Sequence, residues 1–88
     1  MIELTVKSST TTLNNKNITV VYNLKFNNAF YDIECYREGY NSETINEYSY
    51  INELTDDEGE AEVYLRILEK GKVFPVHIKD IAEDYFSN

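Results

Sequence analysis

The chain has 88 residues, of which 42% are hydrophobic and 27% are charged, and its formal net charge is −8 at pH 7. This length and composition are typical of one globular domain, so we expect residues 1–88 to fold as a single unit. No apolar run reaches the roughly 18 residues that a bilayer span needs, and the N-terminal stretch lacks the apolar core of a signal peptide. These absences predict a cytoplasmic chain without membrane contact.

The negative charge is concentrated in the second half of the chain. Residues 1–42 carry equal numbers of cations and acids, whereas residues 43–88 carry the whole net charge of −8. Direct nucleic-acid binding needs a basic surface that displaces counterions, so this distribution argues against it. The acidic half favours either solubility alone or a basic protein partner.

Alternating polarity predicts an edge strand over residues 2–8, with an alternative end at Thr12. A three-residue loop over residues 14–16 then leads into a second strand, because asparagine is a strong turn residue. That loop length would pair Val6 with Leu24 and Leu4 with Phe26.

Residues 18–26 and 29–37 alternate in polarity on either side of Asn27 and Asn28, which indicates a β-hairpin. Asparagine tolerates the positive φ that a two-residue turn requires. The turn predicts three apolar pairs on one side of the sheet: Leu24 with Tyr31, Tyr22 with Ile33, and Val20 with Cys35. A slip of one residue would separate these apolar sets onto opposite faces, so the hairpin predicts which face is buried.

A fourth strand is predicted over residues 44–51, but its buried face is ambiguous. Even positions carry Tyr48 and Tyr50, whereas odd positions carry Ile45 and Ile51. We favour the orientation in which Tyr48 and Tyr50 face the core.

Two amphipathic helices are predicted after the strands. Thr55 and Glu58 form a capping box for a helix over residues 56–70, and residues 76–86 repeat apolar side chains at helical spacing. The apolar stripe of the first helix consists of Ala61, Tyr64, Leu65 and Leu68, widened by Val63 and Ile67. Four strands followed by two helices predict an α+β fold, a four-stranded antiparallel meander with both helices on one face.

The sequence offers no catalytic, metal or cofactor site. Cys35 is the only cysteine and lies on the predicted apolar face, so we interpret it as a buried, inert thiol. His77 shares a helical face with Asp80 and Asp84, but a metal site needs three or four ligands at set spacing and a hydrolytic site needs a nucleophile. We interpret His77 as a structural residue near a helix start, and we expect a non-enzymatic protein without cofactors.

Aromatic residues on the open sheet face indicate a protein-interaction or regulatory domain. With the strand-4 tyrosines inward, Ile45 joins Phe30 and Tyr36 on the face away from the predicted core, and Tyr40 belongs to the turn between strands 3 and 4. Exposed tyrosines suit interfaces because they bury a large area at small entropic cost. An AT-rich genome would also explain eight tyrosines in 88 residues without selection for binding. Self-association through this face or through the first strand is a further expectation.

The acidic residues suggest an alternative function, an inhibitor that mimics nucleic acid and occupies a basic nucleic-acid-binding protein. Carboxylates would then stand where phosphates would sit. The residues that would carry this role are Asp56, Asp57, Glu58, Glu60, Glu62, Asp80, Glu83 and Asp84. The simpler interpretation of the first five is charge that favours a helix start.

The C-terminal third carries a recognisable pattern, with Pro75-Val76-His77 followed by Asp80 and Glu83-Asp84. This pattern resembles a family of small uncharacterised proteins from clostridia and related Firmicutes, which end with a helix, a Val-x-Pro-x-His connector and a short acidic helix. The resemblance covers about thirty residues and implies a bacterial, cytosolic, stand-alone domain. It implies no activity.

Overall fold

The structure, a computed structural model, describes residues 3–39 and 47–86. Four antiparallel strands form one sheet in the order β1-β2-β3-β4 and are followed by two helices, which is the predicted α+β fold. The strands are β1 (Leu4–Thr11), β2 (Asn17–Asn27), β3 (Phe30–Arg37) and β4 (Tyr48–Thr55), and the helices are α1 (Glu58–Lys70) and α2 (Ile78–Phe86). A single 3₁₀ turn, Pro75–His77, leads directly into α2.

The β2–β3 turn lies one residue later than the sequence predicts. Asn28 and Ala29 occupy the two turn positions, with φ of 52° and 70°, and Asn27 pairs with Phe30. Positive φ at both central residues is the signature of the two-residue hairpin turn. The turn type was therefore predicted correctly, but its position was wrong.

This displacement moves every β2–β3 pair by two residues. Leu24 lies opposite Ile33, and Phe26 lies opposite Tyr31 with ring centroids 4.9 Å apart. The predicted register would have placed Phe26 opposite Ala29 instead. Because cross-strand aromatic pairs stabilise a sheet, the observed register gains a contact that the predicted one lacks.

The β1–β2 loop is also displaced by one residue. The Thr12 amide donates to the Lys16 carbonyl at 2.8 Å, so residues 13–15 form the loop. Asn15 takes the left-handed conformation, with φ of 60°, that completes a three-residue hairpin loop. Val6 consequently lies opposite Tyr22, not Leu24.

One side of the sheet, the inner face, carries the hydrophobic core beneath the helices. A shift of two residues keeps each side chain on its face, so the predicted buried face is confirmed despite both register errors. Burial of each large apolar side chain contributes about 1.5–3 kcal/mol. The buried residues are Val20, Tyr22, Leu24, Tyr31, Ile33 and Cys35 from the sheet and Ala61, Tyr64, Leu65, Leu68 and Ile78 from the helices.

The inner-face assignment for β4 was wrong. Ile51 pairs with Ile33 and packs against the core, whereas Tyr48 and Tyr50 lie on the opposite side of the sheet. Ile45, which was predicted to lie on the outer side of this strand, is outside the described residues.

Two buried tyrosines anchor the segment between the helices. The Tyr22 hydroxyl donates to the Val73 carbonyl at 2.6 Å and lies 3.0 Å from the Ser8 hydroxyl. The Tyr64 hydroxyl donates to the Ile78 carbonyl at 2.6 Å. Burial raises the pKa of Tyr22 to about 12, so this phenol stays neutral at physiological pH.

Helix α1 begins two residues later than predicted. Asp57 caps it, accepting the Glu60 amide at 2.9 Å, while Thr55 still belongs to β4 and accepts the Asp57 amide at 3.1 Å. The capping box predicted for Thr55 and Glu58 was therefore wrong. In residues 3–39 and 47–86, neither helix has the length and hydropathy of a membrane span.

Candidate functional site

The side of the sheet opposite the core, which we call the outer face, is the candidate functional site. Its central part is built by alternate residues of β2, β3 and β4, because successive side chains of a strand point to opposite sides. Its members are Val21, Asn23, Lys25, Phe30, Asp32, Glu34, Tyr36, Tyr48, Tyr50 and Asn52.

Asp32 is an acidic residue that is buried at the centre of the outer face, with 1% exposure. Its carboxylate accepts the Tyr50 hydroxyl at 2.7 Å and the Glu53 amide at 2.8 Å. Asn52 also contacts this carboxylate. When its side-chain amide is oriented with Nδ2 towards Asp32, Nδ2 donates to both carboxylate oxygens at 3.2 Å. A buried carboxylate is costly unless it is hydrogen-bonded, and these donors meet that requirement.

An irregularity in β4 supplies one of these donors. The β3–β4 register shifts between Tyr31 and Ile33, and Glu53 takes a positive φ of 53° next to this shift. A β-bulge of this kind redirects backbone groups out of the ladder. Here it points the Glu53 amide at the Asp32 carboxylate.

Glu34 is the second carboxylate of the outer face, and its side chain is 17% exposed. It accepts Asn23 Nδ2 at 2.9 Å and the Tyr48 hydroxyl at 2.9 Å, and it pairs with Lys25 Nζ at 3.3 Å. Burial raises the pKa of Glu34, but these three donors outweigh burial and hold that pKa below its usual value. Glu34 therefore stays ionised on the outer face.

The two carboxylates fix two tyrosine rings of β4. Tyr50 donates to Asp32 and Tyr48 donates to Glu34, so each hydroxyl is held by an acid on the neighbouring strand. The hydrogen bond to Asp32, together with burial, raises the pKa of Tyr50 to about 12. Tyrosine rings with tethered hydroxyls have few rotamers left to lose when a ligand binds.

Tyr36 extends this aromatic surface along the sheet. It pairs with Tyr48 across the β3–β4 ladder and with Val21 across the β2–β3 ladder, and Val21 is buried beneath the surface. The next residue, Arg37, lies on the inner side of the sheet, where it forms an ion pair with Glu47. We call Tyr36, Tyr48 and Tyr50 the tyrosine patch.

The structure places two of the four predicted partner-binding residues. Tyr36 and Phe30 both lie on the outer face and are half-buried, but they stand at opposite ends of β3. At about 3.3 Å per residue, roughly 20 Å separates them. Tyr40 and Ile45 lie outside the described residues.

Sequence reasoning missed four residues that build the patch: Asp32, Glu34, Tyr48 and Tyr50. A signal was present in the sequence, since Asp32 and Glu34 recur at spacing two on β3 and the two tyrosines recur at spacing two on β4. Acids and phenols at matching alternation on neighbouring strands can bond across the ladder.

The predicted acidic residues divide between the two helices. Seven of the eight side chains are exposed and Glu62 is half-buried. Asp57 is already engaged as the α1 cap. Five lie in α1 or just before it and three lie on α2: Asp56, Asp57, Glu58, Glu60 and Glu62, then Asp80, Glu83 and Asp84.

His77 closes the 3₁₀ turn before α2, and its amide donates to the Phe74 carbonyl at 2.9 Å. Its side chain is exposed, as is that of Asp80. Within the part of the chain that the structure describes, no group of three or more His, Cys, Asp and Glu side chains could hold a metal ion. Cys35 is buried in the core, and burial raises the pKa of its thiol to about 12.

Comparison with known proteins gives a match that spans the whole chain: a family of unknown function, DUF6514, matches residues 1–88. The chain belongs to the DUF6514 family. No curated protein and no solved structure gives a significant match. The DUF6514 assignment therefore names the family without supplying an activity.

Proposed function

We propose that this DUF6514 chain is a small, non-enzymatic interaction or regulatory domain that binds a protein partner through the tyrosine patch of its outer face. The single observation that carries the proposal is the pair of hydroxyl–carboxylate bonds, Tyr50 to Asp32 and Tyr48 to Glu34. They hold large amphipathic rings in place before any partner arrives.

Pre-organised rings favour binding for a simple energetic reason. Each immobilised, rotamer-rich side chain costs about 0.5–1.5 kcal/mol at an interface. That cost has already been met during folding for the two tethered tyrosines. Their carboxylate partners are themselves saturated by donors, so the rings, not the acids, contact the partner.

The resemblance of the C-terminal third, about thirty residues from Thr55 to Tyr85, to small clostridial proteins extends this proposal to cellular context. We infer a bacterial, cytoplasmic domain from clostridia or related Firmicutes. Cell extract from such a bacterium is therefore the source in which to look for the partner.

The test is capture of a partner from native extract by the immobilised chain, at low and at high salt, followed by identification and measurement of Kd with the purified partner. Contact through the tyrosine patch predicts binding that changes little with salt and is lost in Tyr36→Ala. Tyr85→Ala, which removes an exposed tyrosine from α2, is the matched control and should bind as the wild type does. Undiminished binding by a folded Tyr36→Ala variant would exclude the patch.

The second candidate is the acidic, nucleic-acid-mimicking inhibitor. Exposed carboxylates on both helices and the net charge of −8 favour it. Binding through these acids should weaken steeply as salt rises, because exposed charges are screened within about 8 Å at physiological ionic strength. A Glu58→Gln, Glu60→Gln double variant should then lose affinity while Tyr36→Ala keeps it.

A further inference from the structure

The first strand of the sheet has an unpaired edge, which we call the β1 edge. β1 pairs with β2 along Leu4–Thr11 and has no strand on its other side among the described residues. The Thr12 amide donates to the Lys16 carbonyl, so the even-numbered residues of β1 direct their backbone groups at β2. The odd-numbered residues, Thr5 and Lys7 among them, direct theirs away from the sheet. Such an edge is a template for a further strand.

Charge on the β1 edge selects the register in which a second copy can pair. The outer side of the edge carries Glu3, Thr5 and Lys7, and all three side chains are exposed. In an antiparallel pair of two copies centred on Thr5, Glu3 lies opposite Lys7 of the second copy. The contact occurs twice because a two-fold interface is self-complementary. A pair centred on Lys7 would instead set two lysines directly opposite each other, which is unfavourable.

The inner side of the same edge is complementary as well. Leu4 and Val6 are half-buried and pack against the core. In the Thr5-centred pair, Leu4 lies opposite Val6 of the second copy, so apolar surface that both leave exposed is covered. A pair centred on Ser9 would bring hydroxyl side chains together instead. The Thr5-centred register therefore suits both sides of the strand.

The one ion pair on the β1 edge does not oppose this arrangement. Lys7 Nζ lies 3.1 Å from Glu38, and both side chains are 56% exposed. A lysine ammonium carries several donors, so Lys7 can keep this contact and also meet Glu3 of the second copy.

The hydrogen bonds of the outer face reach this edge. Thr5 Oγ1 donates to Asn23 Oδ1 at 2.6 Å, and Asn23 Nδ2 donates to Glu34, which holds Tyr48. Residues directly opposite each other in an antiparallel pair lie on the same side of the sheet. Two copies joined at Thr5 therefore present both tyrosine patches on the same side of one continuous sheet.

We propose that the β1 edge binds a second copy of this chain, as an antiparallel two-fold pair centred on Thr5. The dimer does not depend on the proposed partner binding, because β1 contributes no residue to the tyrosine patch. Its paired stretch, residues 3–7, spans only about 17 Å, so the interface is at the small end of stable interfaces and Kd is in the micromolar range or above.

Proline substitution tests the backbone pairing, by analytical ultracentrifugation from micromolar to millimolar chain. Thr5→Pro removes an amide that points away from β2, so the sheet keeps its own backbone bonds while the central pair of the dimer is lost. This variant should stay monomeric where the wild type reaches twice the 10.3 kDa chain mass. Thr11→Pro is the matched control and should dimerise normally, because it removes an equivalent amide beyond the paired stretch. Each variant also loses one hydroxyl bond to an asparagine of β2.

Charge reversal tests the register, whether or not the proline variants fold. Glu3→Lys alone sets lysines against each other at both ends of the pair, and Lys7→Glu alone sets glutamates against each other. Each variant should therefore dimerise about tenfold more weakly or not at all. Their mixture restores both opposite-charge contacts and should form a heterodimer, and a chain with both reversals should form a homodimer.

Asp84→Lys mixed with Lys79→Glu is the control for the charge experiment, because it has the same net charges but places them on α2. This mixture should behave like the wild type. A wild-type chain that stays monomeric at millimolar concentration would overturn the proposal. So would a folded Thr5→Pro variant that dimerises as the wild type does, or a control mixture that associates as strongly as the β1 mixture.

Discussion

The two faces of the sheet are stabilised by different interactions. The inner face buries aliphatic and aromatic side chains under α1 and α2, so its stability comes from apolar area removed from water. The outer face holds Asp32 and Glu34 under two tyrosine hydroxyls, so its order comes from hydrogen bonds between specific atoms. A shift of two residues would keep apolar side chains on the same face, whereas it would break the Tyr50–Asp32 and Tyr48–Glu34 hydrogen bonds. The outer face is therefore the more specific of the two.

The largest expected effect lies on the inner side. Leu65→Ala removes a side chain with 0% exposure and should cost about 2–5 kcal/mol of unfolding free energy, measured by urea denaturation. Val63→Ala, on the opposite side of the same helix, is the control and should cost far less. Equal losses in the two variants would contradict the assignment of the buried helix face.

The next effect lies on the outer face. Asp32→Ala leaves the Tyr50 hydroxyl and the Glu53 amide without their acceptor, which should cost about 1–3 kcal/mol in the same assay. Asp84→Ala removes an exposed carboxylate and should change stability by less than about 0.5 kcal/mol. If the two variants were equally stable, Asp32 would have no role in ordering the outer face.

Removing the Tyr50 hydroxyl tests the outer face at high pH. Because the folded pKa of Tyr50 is about 12 against an ordinary 10.0, its contribution to stability is complete below pH 10 and is lost as pH rises towards 12. Tyr50→Phe should reduce this alkaline loss, which is measurable from urea midpoints at pH 9 to 12. An unchanged alkaline slope would argue against the hydroxyl–carboxylate bond.

Glu34 gives the smallest effect, and it appears at low pH. Its folded pKa is below the usual 4.5, so the stabilisation is present above that value and is lost as pH falls through the folded pKa. Glu34→Gln should therefore flatten the decline in stability between pH 5 and 2, and Glu38→Gln, which alters an exposed residue, should not. Parallel curves for the wild type and Glu34→Gln would show that these donors do not favour the ionised form.

The sequence predicted the strand order, both helices and the buried face of the first three strands. Alternation identifies which face is buried but cannot distinguish registers that differ by two residues, because both keep the same faces. That is why Leu24 was placed opposite Tyr31 when it lies opposite Ile33. The two registers differ in the position of the turn, which Asn28 and Ala29 occupy.

The site was harder to predict than the fold because the hydrogen bonds that order it join side chains of different strands. Tyr48 and Tyr50 looked like core residues when β4 was considered alone. Their hydroxyls need partners, and Asp32 and Glu34 provide them on the outer side of β3. Similarly, Thr55 looked like a helix cap until the structure placed it in β4 and gave that role to Asp57.

The central claim is that acids on β3 hold the tyrosines of β4, and a double-mutant cycle between Asp32→Ala and Tyr50→Phe tests it most directly. Unfolding free energies of the wild type, both single variants and the double variant give the coupling between the two side chains. We expect the double variant to lose about 0.5–3 kcal/mol less than the sum of the single losses. Losses that add within about 0.3 kcal/mol would contradict the claim, since the two residues would then act independently.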